Sequence, residues 1–518
     1  MVLLAGALVL SLVMLTKGSS GSGAVFTGKA ATSESTAEKP GLGPNSYEAY
    51  LQAARSYPAN TIPLSVSRRA KATFNKIARA DARAIKAKGA RQLLWDQGGQ
   101  WKLYGPRTNA VQPGVTSFSG AENTTASRVT ALIADPDCTA NRCRLWAGVS
   151  GGGVWTTANA LAPNPEWKQL SPQSLDQNSV GTLTLVAGGH HGHGNNGQDT
   201  LYLGTGEANR CSSGCEAGVG IYKSTNGGES WHKLRDRCVS NATYACVTPG
   251  NDAFLGRGIS SIVVDPTNRN HILVGSAQAV RGLSHVIGNG GTTRLEPGAN
   301  APGLYESWDG GDTFTEVWNG NSATSFGVTK VMLDPADPTT VYASAFDQGL
   351  WRRSPSLDGS ATAFDFHQVF APQFPGGGTD RTMFALTRAN GNTRIYLTDG
   401  TANGGGISSA TASNFWRTDN GNQSASALLA SQAAGATPPP DSTVYPQVYS
   451  GWQNLTSKAT ISPYFATDDF CTGQCWYDED VYTPAGMPDT VYVIGSNEYG
   501  EQPCDTKGVG CGNGRSNG

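Results

Sequence analysis

A dominant charge is missing from this sequence: 38 Lys and Arg against 40 Asp and Glu leave −2 over 518 residues, of which 15% are charged. Beyond the N-terminal region there is no basic block and no aromatic–basic interleaving, so nucleic acid is not an expected partner. Long apolar runs are missing as well, except at the start. Met1 to Leu15 is apolar and ends at Thr16-Lys17, which is short for a span and has no basic residue ahead of it. It predicts a cleavable signal peptide or an uncleaved anchor over 1–17, with no membrane span beyond that candidate anchor. Nothing resembles a P-loop, a dinucleotide-binding strand–turn–helix unit or a strand-to-helix G-x-S-x-G elbow, so phosphate-binding and serine-hydrolase readings have no support. No cofactor is expected.

Turn residues are plentiful instead, with 66 Gly and 27 Pro, a composition suited to many short strands. The ten cysteines form five close pairs: Cys138 and Cys143, Cys211 and Cys215, Cys238 and Cys246, Cys471 and Cys475, Cys504 and Cys511. Each pair can close its own loop. An even count with local pairing points to an oxidising compartment and to disulfides that pin surface loops. Zinc would need four converging ligands, and the two CxxxC pairs stand about 250 residues apart, so no metal is expected. These features place the protein outside the cell, at its surface or in the periplasm.

Residues 18–45 are Gly/Ser/Thr/Lys-rich without an apolar period and read as a flexible linker. Over 46–90 the pattern turns helical. Arg68, Arg69, Lys71, Lys76, Arg79, Arg83, Lys86 and Lys88 interleave with alanines, Phe74, Ile77 and Ile85. This reads as a solvated helical pre-domain, with a surface-binding helix as the alternative.

From there the chain repeats itself. Val129-Thr-Ala-Leu-Ile-Ala-Asp135-Pro136, Ile259-Ser-Ser-Ile-Val-Val-Asp265-Pro266 and Val328-Thr-Lys-Val-Met-Leu-Asp334-Pro335 are strand-like runs ending in Asp-Pro. Degenerate copies begin near Ser179, Arg381 and Trp476. Spacings of about 50 to 96 residues suit four-stranded blades with insertions. A second β-rich run follows each start, as in Leu145-Trp-Ala-Gly, Leu201-Tyr-Leu-Gly and Ile272-Leu-Val-Gly. Third runs include Gly-Val-Trp155 and Gly-Leu-Tyr305, and fourth runs open on Trp167, Trp231, Phe314 and Phe366.

Between third and fourth runs sits S-x-[DN]-x-G-x-x-[WF]. It is complete as Ser224, Asn226, Gly228, Trp231 and as Ser307, Asp309, Gly311, Phe314, and weakened at Thr418-Asp-Asn420-Gly-Asn422. Asn or Asp can bond turn amides, Gly takes positive φ, and the aromatic plugs between sheets, so a structural role is expected. The fold class expected is all-β, a β-propeller of about six four-stranded blades over 91–498, with 499–518 as a Gly/Cys-rich loop or a truncated continuation.

Trp101-Lys-Leu-Tyr-Gly-Pro106, Arg128 through Pro136, and Leu145 through Trp155 together resemble the opening of bacterial sortilin-like propellers with BNR (Asp-box) repeats, in the sialidase and xyloglucanase-like superfamily. The resemblance spans residues 95 to about 498. It implies the propeller but not an activity, because owners of the Asp-box include glycosidases, peptide receptors and assembly factors. Asp96, Gly98 and Trp101 match D-x-G-x-x-W, so 91–104 read as third and fourth strands without their first two. The last repeat has the complementary lack. Either the N-terminal strands complete that blade or the chain is the front of a larger propeller.

Loops between strands two and three, and between successive blades, share the face opposite the Asp-boxes. Long insertions fall there at 204–220, 235–258 and 277–303, where binding is expected. Glu207, Arg281, Asp347, Asp399 and Glu498 follow second strands, and Arg210 and Arg257 join from the loops. A glycosidase needs paired carboxylates, which Glu207 with Asp347 or Asp399 would offer; the plainer alternative is that they cap turns. A sialidase would need an arginine clamp, and no F/Y-R-I-P-like segment precedes the first repeat. His190, His191 and His193 read as an exposed turn rather than a metal site. The leading expectation is a recognition scaffold for a glycan or polypeptide, with an extracellular glycoside hydrolase as the alternative.

Overall fold

The computed structural model describes residues 62–88, 111–116, 122–124, 128–171, 175–186, 199–208, 216–280, 285–286, 293–294, 296–321, 326–376, 380–401, 413–440, 447–459, 462–468, 470–471 and 475–495. Ala, Arg and Lys, all strong helix formers, build the helix Leu64–Lys88 within the expected helical region.

Antiparallel meanders then succeed one another, each paired in chain order. Sheet one consists of Val129–Ala134, Leu145–Val149, Gly153–Thr157 and Trp167–Gln169, and sheet two of Val180–Val186, Thr200–Thr205, Ile221–Ser224 and His232–Lys233. Sheet three contains Arg257–Val264, Ile272–Gln278, Leu304–Ser307 and Thr313–Trp318. Sheet four is Val328–Leu333, Val341–Ala345, Gly349–Arg353 and His367–Phe370; sheet five is Arg381–Ala389, Asn392–Gly400, Ser413–Thr418 and Gln453–Asn454. The sixth has two described strands, Asp480–Tyr482 and Tyr492–Ile494. First strands of neighbouring sheets pack on one another from sheet one through sheet six, the arrangement of a β-propeller.

The repeats explain how the sheets fit together. The glycine ending each L/I-x-x-G run leaves a slot for the next sheet's first strand. A Cβ at Gly148 would lie 2.6 Å from Val180 Cγ1, one at Gly204 2.5 Å from Ile259 Cγ2, and one at Gly275 2.8 Å from Val328 Cγ1. Hydroxyls add a second tie. Thr130 Oγ1 donates to Val180 O at 2.6 Å, Ser260 Oγ to Val328 O at 2.6 Å and Thr329 Oγ1 to Thr382 O at 3.0 Å. All three sit at register shifts early in their first strands, where a bulge re-aims the side chain. Between the sheets lie separate apolar clusters, such as Trp146, Leu183, Leu201 and Trp231 between sheets one and two.

The complete turns form as their residues dictate. Ser224 Oγ accepts from Gly228 N (2.9 Å) and donates to Asn226 Oδ1 (2.8 Å), which accepts from Ser230 N (3.0 Å). Ser307, Gly311, Asp309 and Thr313 repeat these bonds at 3.0, 2.9 and 2.9 Å. Gly228 and Gly311 have φ of 95° and 96°, and Trp231 and Phe314 are buried. The weakened copy differs. The helix Ala425–Ala434 follows it, and Trp452, whose Nε1 donates to Val369 O at 2.7 Å, fills the plug position instead.

One further feature departs from the expected blades. Arg237–Cys238, inside the 235–258 insertion, pairs in parallel with Thr313–Trp318 and makes sheet three five-stranded. Disulfides join Cys138 to Cys143, Cys238 to Cys246 and Cys471 to Cys475. Cys211, Cys215, Cys504 and Cys511, the turn residues Asp96, Gly98 and Trp101, the histidines at 190–193, and segments 1–45 and 499–518 lie outside the described residues.

Candidate functional site

Turns between third and fourth strands bond to those between first and second, as where Gly227 N donates to Asp199 O (2.9 Å) and Gly310 N to Asn270 O (2.9 Å). The opposite end therefore carries the links between second and third strands and between sheets. All described candidate residues lie at this end. Glu207, just past the second strand of sheet two, is buried and pairs through Oε2 with Arg128, just before sheet one; Ser150 Oγ donates to the same oxygen at 3.1 Å. Arg257 opens sheet three, is buried, and donates from Nε to Asn300 O at 2.6 Å. Burial brings its guanidinium down to about 10 and pushes nearby Glu316 up to about 7, the Arg257 charge offsetting part of the latter.

The densest group lies around sheets four to six. Asp347, in the turn after the second strand of sheet four, has φ of 61° and accepts from Asp380 N at 3.1 Å. Asp380 and Asp399 are both fully buried. Asp380 Oδ2 accepts from Phe374 N at 2.7 Å; Asp399 accepts from Gln373 N and from Thr382 Oγ1, each at 2.7 Å. The remaining Asp380 oxygen, Oδ1, is buried without an N–H or O–H donor. The two carboxyls act on each other, and the charge of Asp399 opposes ionisation of Asp380. Burial is the main cause of both shifts: Asp380 rises well above the carboxylate range, reinforced by the Asp399 charge, and Asp399 rises to about 6.

Glu479 and Asp478 extend this group from the segment preceding sheet six. Glu479 is buried with no well-formed hydrogen bond to either oxygen and is raised strongly by burial, with Thr398 and Arg381 opposing. Burial brings Asp478 up to about 6 against the charges of Arg381 and Arg128. Glu479 also approaches Cys471 and Cys475 within 4.8 Å, but those sulfurs are tied in a disulfide and are not metal ligands. Chemically, the group anchors the 371–376 connector. A glycosidase instead needs accessible carboxyls roughly 5 to 9.5 Å apart.

No family model matches the chain, and no curated protein matches it. Solved structures similar to it include an ancestral GH74 enzyme, 18% identical over 60% of this chain and 31% of that one, with a TM-score of 0.35. The β-propeller domain of Cps50 (Swd1) from Myceliophteria thermophila is 13% identical over 57% and 71%, with a TM-score of 0.28. Raptor from Chaetomium thermophilum is 10% identical over 57% and 20%, also with a TM-score of 0.28. The match thus spans less than a third of the ancestral enzyme's own length. At these scores the propeller assignment rests on this chain's own strand pairing.

Of the sequence-derived candidates, Asp347 and Asp399 come together, Glu207 and Arg257 belong to separate ties, and Arg210, Arg281 and Glu498 lie outside the described residues. Sequence reasoning looked just after second strands and in the long loops, and so missed Arg128, Asp380, Arg381, Asp478 and Glu479. These stand just before or at the start of first strands, which reach the same face, and that position is itself a usable signal. It also missed a buried chain at the other end: His271 bonds Asp265 (3.0 Å) and Glu306 (2.8 Å), and Arg353 of sheet four bonds Glu306 (2.8 Å).

Proposed function

We propose that the protein is an exported recognition scaffold that binds a glycan or a polypeptide through its long-loop face. The burial of Glu207 and Asp399 in ties between loops and sheets carries this reading. Carboxyls committed in this way stiffen a platform; they leave no open acid–base pair for a sugar ring. The S-x-[DN]-x-G-x-x-[WF] turns fit the Asp-box kind of propeller, and the disulfides fit an oxidising compartment. We take the propeller to have about six blades.

The alternative, a glycoside hydrolase, would rest on Glu207 and on Asp347, the one hydrolase candidate that is not fully enclosed. A polysaccharide panel tested with the wild type, Glu207→Gln and Asp347→Asn separates the two readings. Binding without hydrolysis is expected of the scaffold. Hydrolysis that disappears in either variant would replace the scaffold with the enzyme.

A further inference from the structure

The helix Leu64–Lys88 is attached to the propeller at its beginning. Leu64 is buried in the cluster between sheets one and two, Arg68 Nε bonds Asp176 Oδ2 at 3.1 Å, and Lys71 Nζ donates to Leu175 O. These contacts fix the helix's rotation about its own axis. Val66, Ala70, Phe74 and Ile77 recur at helical spacing on one face, and Val66, Phe74 and Ile77 are 41%, 53% and 56% exposed. Arg69, Lys76, Arg79 and Arg83 lie on the other side and are exposed. The helix sequence holds eight Lys and Arg and one acidic residue, Asp81, in a chain whose net charge is −2.

We propose that this helix is a peripheral membrane-binding element that lies on an anionic lipid surface, with Phe74 and Ile77 at the acyl boundary and the cations among the headgroups. No helix among the described residues is long and apolar enough to cross a membrane, and an in-plane helix needs no such length. A basic face paired with an open apolar stripe is the chemistry of that surface. A purely polyanionic partner would engage the cations and have no use for the stripe. Cations brought to an anionic membrane strengthen binding on the order of fivefold each at low salt, and that contribution is screened as salt rises.

Full-length protein is sedimented with vesicles of phosphatidylcholine alone and of phosphatidylcholine with phosphatidylglycerol, and separately applied to heparin. The apolar run at residues 1–15 carries no charge, so its contribution is common to both vesicle types. The anionic increment is expected to be at least about tenfold at low salt. It should vanish in Lys76→Glu/Arg79→Glu/Arg83→Glu and fall several-fold in Phe74→Ser/Ile77→Ser, whose charge is unchanged. Because these positions are exposed, both variants should keep the wild-type melting temperature, which separates lost binding from lost folding. Equal binding to the two vesicle types overturns the proposal. So does heparin retention together with an unaltered vesicle increment in Phe74→Ser/Ile77→Ser.

Discussion

Glu207 shows what a single charged residue does on this face. Its carboxylate is buried, so removing Arg128 takes away the opposing charge while hydrogen bonds such as that from Ser150 remain. Arg128→Ala is expected to cost about 1–3 kcal/mol, read from urea unfolding, and Arg128→Ala/Glu207→Gln should regain part of that loss. A larger cost from the double variant than from the single would rule out the ion pair as the cause. Turn residues have a different constraint. A Cβ at Gly228 would meet Leu170 Cδ1 at 2.7 Å in a left-handed backbone, so Gly228→Ala should lose roughly 1–3 kcal/mol. The sequence pattern already marked that glycine, because its need for positive φ is local.

Individual sheets depend on fit to their neighbours. Gly204 lies in the second strand of sheet two, and its slot holds Ile259 of sheet three, with Thr182 Cγ2 also 2.9 Å from an added Cβ. Gly204→Ala is expected to cost about 1–3 kcal/mol by overpacking, while Gly204→Ala with Ile259→Ala should relieve the clash at the expense of a cavity. Thermal melts of the three variants check this, and a harmless Gly204→Ala would contradict the slot. The Cys238–Cys246 disulfide closes a short loop beside the extra parallel strand. Its loss in Cys238→Ser/Cys246→Ser should cost about 2–3 kcal/mol by the chain-entropy relation, with proteolysis at 239–245 as a local readout.

At the scale of the whole molecule, stability should depend on pH through groups that bind protons when folded. Asp399 and Asp478 rise to about 6, Glu316 to about 7, and Asp380 and Glu479 rise strongly, burial leading in each case. The folded state therefore holds more protons than the unfolded chain above pH about 4, and unfolding free energy falls as pH rises through these values. In the opposite sense, hydrogen bonds from His271 and Arg353 outweigh burial and bring Glu306 to about 2, so its contribution is lost in strong acid. Melting temperature should peak near pH 4 and fall from there toward pH 8. Asp380→Asn should flatten that drop, and an unchanged slope would exclude Asp380 as its source.

Local chemistry made much of this fold legible beforehand. The Asp-Pro runs, the L/I-x-x-G runs and the two complete turns each encode a short-range requirement, and the strands, bulges and left-handed glycines follow from them. The partnerships between sheets were not legible. Glu207 reads the same whether it opens on a ligand or is closed by Arg128, about 80 residues away in the chain. Asp399 raises the proton affinity of Asp380 only because two strands of sheet five place both at one buried end. Trp452 replaces the missing plug because an inserted helix separates it from its turn. Sequence by itself determined the repeat and its turns, through backbone conformations and apolar spacing; tertiary structure alone decided which charges meet, because burial and pairing depend on neighbours that the chain order does not name.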